Sequence, residues 1–139
     1  MNSRLIFIPM LGQVALTFIM MLFMAYKRFS AGFAGRLARG AYKVGESPDV
    51  PSDVRLPGRN FVNLFEMPVL FYVLCLALYM TRNVSETLLA LAWIYVALRV
   101  VHSLIHVTYN KIMHRFFVYA LSSFLLLTMW IMFAIELYR

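Results

Sequence analysis

Four runs of about twenty apolar residues leave this chain few ways to fold. They cover residues 5–26, 61–80, 88–109 and 116–137. A helix rises 1.5 Å per residue, so about 20 apolar residues cross a hydrocarbon core of about 30 Å. Backbone N–H and C=O groups in lipid must be satisfied within the protein, which a helix does for itself. The runs therefore predict an all-α integral membrane protein, a bundle of four transmembrane helices. Composition agrees: 63% of the 139 residues are hydrophobic and 14% are charged, with a mean hydropathy of +0.76. A soluble domain is about half apolar and a quarter charged. Little chain remains for anything else, and residues 1–139 read as a single membrane domain.

The first run is not a signal peptide. Such peptides place a basic start before a core of about 7–15 apolar residues. Here only Arg4 precedes the run, and Lys27 and Arg28 follow it. The single cysteine, Cys75, lies within the second run and reads as a small apolar packing residue.

A net charge of +7 would suit a nucleic-acid binder, but the charges follow membrane topology instead. Residues 27–60 hold Lys27, Arg28, Arg36, Arg39, Lys43, Arg55 and Arg59, and the third connection adds Lys111 and Arg115. The opposite side has Arg4, Arg82 and Arg139, while Arg99 lies inside a span. Nine basic residues against three is a strong positive-inside bias. It predicts both termini outside the cytoplasm and a long cytoplasmic connection over 27–60, in a multi-pass membrane protein.

The connections differ in kind. Residues 81–84 and 110–115 are short and predict antiparallel neighbours. In residues 27–44, Phe29, Phe33 and Leu37 recur four apart beside Arg36, Arg39 and Lys43. That pattern fits either a basic amphipathic extension of the first helix at the headgroups or a solvated basic loop. The following GESPDVPSDVRLPG carries three prolines and two glycines and predicts irregular chain.

Polar residues in the spans fall on stripes. Residues three, four and seven apart share a helix face. Arg59, Asn63 and Glu66 have that spacing in the second span, as do Tyr95, Arg99, His102 and His106 in the third, and Arg115, Tyr119 and Ser122 in the fourth. At 1.5 Å per residue, Glu66 lies roughly 9 Å below Asn60, and His106, His102 and Arg99 lie roughly 6, 12 and 16 Å below Asn110. The stripes overlap in the cytoplasmic half of the membrane. An arginine near the bilayer centre costs about 2.5–3.5 kcal/mol on insertion scales. Such groups turn inward, pair and mark function. Glu66 is the one acidic residue at that depth, so an Arg99–Glu66 ion pair is expected, either as part of a site or as a purely structural register lock. His102 and His106 with Glu66 would be too few acidic ligands to favour a metal, and no metal is expected. Tyr95, Tyr119 and Ser122 can hydrogen-bond between helices. Pro68 predicts a kink that frees the carbonyl of Leu64. Three arginines against one glutamate make a cationic, partly desolvated site, suited to a ligand with more carboxylates than amines.

Arginine followed by N-x-x-E and a proline (Arg59, Asn63, Glu66, Pro68), then RVVHSLIH with Arg99 and His102, then YNKIMHRFFVY with Arg115 and Tyr119, resembles the membrane-associated proteins in eicosanoid and glutathione metabolism. The likeness covers nearly the whole chain and is closest in character to short prokaryotic members, which implies a bacterial inner membrane. It implies a homotrimer in the lipid bilayer, with glutathione as co-substrate bound between subunits in the cytoplasmic half and a small lipophilic electrophile as the second substrate. It implies a transferase or peroxidase in which Arg115 stabilises the glutathione thiolate. Arg59, Asn63, Glu66, Arg99, His102, His106 and Tyr119 would hold the rest of glutathione. Three positions depart from family patterns: Val62 where some members have a second arginine, His106 in place of a tyrosine, and Phe116 in place of a hydroxyl residue. Together they remove one carboxylate contact and two hydrogen-bonding groups, and they set the chain apart from the prostaglandin synthase. A reading from a different class is a non-enzymatic membrane protein that binds another anion or only assembles. A small four-span exporter is disfavoured, because such exporters carry a glutamate in the first span and residues 5–26 have no acidic or basic residue.

Overall fold

The computed structural model describes residues 2–43 and 45–138. Arg139, one of the three basic residues assigned to the outer side, and Val44 of the basic stretch lie outside the described residues. A 3-10 turn over Ser3–Ile6 leads into α1, Phe7–Phe33; α2 covers Ser52–Asn63, α3 Met67–Met80, α4 Glu86–Val107 and α5 Ile112–Leu137. Four helical stretches are long and apolar enough to cross a membrane: Ser3–Phe33, Ser52–Met80 (α2 and α3 together), Glu86–Val107 and Ile112–Leu137. The protein is an integral, multi-pass membrane protein.

The helix ends follow from local chemistry. Pro9 sits in the first turn of α1, where no intrahelical N–H is lost. Gly35, at φ 67°, closes α1: the Arg36 N–H reaches the Ala31 carbonyl at 2.9 Å, and the Gly35 N–H reaches that of Gly32 at 3.1 Å. The Ser85 side chain caps α4 by accepting from the Leu88 N–H at 3.2 Å.

The core runs along the bundle axis. Phe71 and Leu74 of α3, Leu88 and Ala92 of α4, and Leu126 and Met129 of α5 pack together with Ile6. The Phe71 ring stacks on Tyr95 at 4.5 Å between centroids. Gly12 of α1 faces Val96 and Trp93 of α4, where an added Cβ would make ordinary van der Waals contact at 3.6 and 3.8 Å. α1 and α4 are then held together by close packing, the main attraction available between helices in lipid.

Two expectations about the long connection change. α1 does extend past the apolar run to Phe33, so 27–33 is helix, while Leu37 and Arg39 lie beyond its end. The proline-rich stretch is not irregular throughout, because α2 begins at Ser52. Pro51 stands just before the helix, and Ser52 and Asp53 occupy its first turn, where such residues are favoured. Pro57 is inside the helix and costs only one bond, the one its N–H would have made to the Asp53 carbonyl. Ala31, Ala41, Val50 and Val54 form a small core under this cap. Its rim is ionic: Arg36 grips Asp53 through two nitrogens at 2.8 and 3.2 Å, Lys27 lies 3.8 Å from Asp53, and Arg28 lies 3.8 Å from Glu46.

The second span is broken. The Leu64 and Phe65 N–H groups close short turns, Glu66 has ψ −100°, and helical geometry resumes at Met67 with Pro68 in the first turn of α3. A kink at Pro68 was expected; the chain instead leaves the helix for three residues.

Candidate functional site

The break in the second span, the last turns of α4 and the first turns of α5 come together at the end of the bundle that carries the basic connections. There Asn63, His102, Ile112, Arg115, Phe116 and Tyr119 line a cleft of about 190 Å³. A second, apolar groove of about 380 Å³ shares Phe116 and Tyr119 with it and continues along α5 past Ala120, Ser123, Phe124 and Leu127, with Met67 of α3 on its other wall.

Arg115 is on the second turn of α5. Its Nη1 donates to Asn110 Oδ1 at 2.7 Å and lies 3.3 Å from His106 Nε2. An arginine has only donors, so His106 Nε2 is the acceptor and the imidazole carries its proton on Nδ1. His106 is buried, and its ring meets that of His102 at 5.9 Å. His102 in turn lies 5.8 Å from the Tyr119 ring. The described residues contain no group of three His, Cys, Asp or Glu side chains able to hold a metal ion.

Arg99 does not pair with Glu66. It is fully buried, and its Nη2 donates to the backbone carbonyl of Asn63 at 3.0 Å while its guanidinium carbon stands 5.7 Å from the Tyr119 ring. Glu66 is exposed and makes no ion pair with Arg99. The reason is the break. The spacing of 59, 63 and 66 shares a face only in an unbroken helix, and the chain leaves helical geometry after Asn63. With the helix ended there, the Asn63 carbonyl receives only a long 3.4 Å bond from the Glu66 N–H, and the guanidinium adds a shorter, charged one as a cationic cap on the end of α2. Arg99 thereby ties α2, α4 and α5 together. Its Nε and Nη1 are buried and carry no partner among the described residues.

Of the eight site residues expected, Asn63, His102, Arg115 and Tyr119 line the cleft, and His106 stands behind Arg115. Arg99 lies beneath, holding the Asn63 backbone. Arg59 and Glu66 are exposed on α2 and in the break, outside the cleft lining of this single chain. Sequence reasoning missed Asn110 as a partner of Arg115, and Ile112 as part of the wall. An asparagine opening a short basic connection was the available signal, since asparagine tolerates the left-handed backbone that Asn110 adopts at φ 47°.

Four apolar helical spans define a multi-pass membrane protein, and Arg115 gives it a cationic cleft at the end that carries the basic connections. The sequence profile of the MAPEG family matches residues 6–135 of the 139, and the chain belongs to that family. Comparisons with curated proteins and with solved structures return no match.

Proposed function

We propose that this protein is a glutathione-dependent membrane transferase or peroxidase acting on lipophilic electrophiles. The observation that carries the reading is the junction of two unlike recesses at Phe116 and Tyr119: a polar cleft presenting Arg115 beside an apolar groove. Family membership supports the same class of chemistry. A peptide thiol would lie on the arginine side and a lipophilic partner would enter from the membrane side, so that the sulfur meets the electrophile at the shared wall. The cleft alone, at about 190 Å³, is smaller than the roughly 300–1,000 Å³ of small-molecule sites. That shortfall supports a homotrimer in which a neighbouring copy supplies the missing wall, with exposed Arg59 and Glu66 available to a ligand there. The nine-to-three charge bias supports an orientation with the cleft facing the cytoplasm and both termini outside, and the likeness to short prokaryotic members supports a bacterial inner membrane.

In this mechanism Arg115 does the chemistry. A free thiol with a pKa near about 8.5 is mostly protonated at neutral pH, yet the thiolate is the nucleophile. A guanidinium within a few ångströms favours the charged form, each unit of lowering corresponding to about 1.4 kcal/mol. Exclusion of water at the membrane boundary strengthens the effect. Turnover of a chlorodinitrobenzene with glutathione tests the proposal. Arg115→Leu is expected to reduce kcat by about tenfold or more while glutathione binding falls much less. A residue serving only as a positive-inside anchor predicts that Arg115→Lys and Arg115→Leu both retain wild-type turnover, and that result would refute the catalytic role. Absence of glutathione binding by the wild-type protein would leave the reading as a binder of another anion.

A further inference from the structure

We propose that Asn110, together with His106, is a positioning residue that holds the Arg115 guanidinium in the cleft. The inference rests on the reading of Arg115 given above for its consequence in catalysis, but the brace itself is a matter of geometry.

Arg115 has several reasons to lie elsewhere. It stands at the N-terminal end of α5, where the helix dipole disfavours a cation. It is at a membrane boundary, where a long basic side chain ordinarily extends toward water and headgroups. Its stem has four rotatable torsions to restrict. The structure nonetheless brings two acceptors onto one nitrogen, Nη1: Asn110 Oδ1 at 2.7 Å and His106 Nε2 at 3.3 Å. Charge-assisted bonds of this kind are stronger than neutral ones. They come from two directions, His106 from the last turn of α4 and Asn110 from the connection between α4 and α5. The Nε and Nη2 nitrogens make no hydrogen bond with the described residues, which leaves them for a ligand in the cleft.

The backbone places Asn110 for this task. Its N–H closes on the Ile105 carbonyl at 2.8 Å, and its φ of 47° turns the chain into the left-handed region before α5 starts. Asparagine tolerates that region better than most residues, and glycine occupies it without strain. One side chain therefore serves both the turn and the brace, and the two roles separate cleanly by substitution. Asn110→Gly keeps the turn and deletes the acceptor. Asn110→Asp keeps the turn and the acceptor but places a carboxylate against the guanidinium, which offsets part of its positive field.

Two measurements on the full-length protein in detergent or nanodiscs test the proposal. The first needs no glutathione: the rate at which phenylglyoxal modifies Arg115, read by peptide mass, with Arg4 and Arg82 as internal controls. Asn110→Gly is expected to speed modification of Arg115 by about fivefold, roughly what loss of one hydrogen bond releases, with the control sites unchanged. Asn110→Asp is expected to slow it. An unchanged rate at Arg115 in Asn110→Gly, or a faster one in Asn110→Asp, would overturn the brace, and the Asp variant decides the matter even if the Gly variant folds poorly. The second is turnover with glutathione. A displaced guanidinium is expected to lower kcat in Asn110→Gly by about tenfold with KM for glutathione little changed. In Asn110→Asp the alkaline-rising limb of the pH profile should move to higher pH, since a carboxylate beside Arg115 weakens its hold on the thiolate. A purely structural turn residue predicts wild-type kcat and pH profile in both variants. If modification of Arg115 responds as expected while Arg115→Leu retains full turnover, the brace stands and the catalytic reading of Arg115 falls.

Discussion

At the scale of single residues, the least expected finding is the partner of Arg99. Counting charges by depth pointed to Glu66, because it was the one carboxylate available. The actual acceptor is a backbone carbonyl, and carbonyls have no sequence signature; which one is free depends on where a helix breaks. The pairing expectation is thus replaced by a different one. Arg99→Leu should destabilise by about 1 kcal/mol, since the Asn63 carbonyl loses its charged donor and keeps only the long bond from the Glu66 N–H. Glu66→Gln should have little effect on stability. A double-mutant cycle in a chemical or thermal unfolding assay should give additive changes within about 0.5 kcal/mol, and a coupling well above that would restore the ion pair. Asn63, His102, Arg115 and Tyr119 were legible from helical spacing alone, because each lies in a stretch whose helix is continuous up to that residue. Arg59 and Glu66 had the right spacing but lie outside the single-chain cleft, and spacing on one helix carries no information about which face a second helix covers.

At the scale of elements, the four spans were legible because about twenty apolar residues admit one solution in lipid. The start of α2 was not. Three prolines within ten residues read as breakers, yet proline is harmful to a helix mainly beyond its first turn. Pro51 lies before α2, and the one bond lost at Pro57 is compensated by the cap packed beneath. The break between α2 and α3 was half legible: Pro68 announced a disturbance, but its extent depends on the Asn63 carbonyl finding Arg99. Restoring an N–H at this point is a direct test. Pro68→Ala should let helix propagate across 64–66, so that the Met67 N–H competes for the Asn63 carbonyl and Arg99 loses its acceptor. Turnover should then fall several-fold, because the acceptor that fixes Arg99 is lost. Wild-type turnover in Pro68→Ala would show that the break has no part in the site.

At the scale of the whole molecule, the cationic cleft and the apolar groove both open on the outside of one four-helix unit. A soluble thiol peptide bound there would face lipid on one side, which is costly for its charged groups. A second copy of the chain removes that cost, and three copies around an axis give every cleft an equivalent neighbour. Under the proposed trimer, the protein in mild detergent should have three times the protomer mass of 16.1 kDa, measured by light scattering or native mass spectrometry. A monomer that still binds glutathione would place the whole site within one chain.

The central claim is that Arg115 holds a bound thiol as thiolate at neutral pH, and the ultraviolet absorbance of the thiolate reports it most directly. Titrating glutathione into the wild-type protein should raise a saturable thiolate band well below the pH at which free glutathione ionises. Arg115→Leu should bind glutathione with little of that band. A band of equal size in Arg115→Leu, or glutathione bound to the wild-type protein with no band at all, would contradict the account.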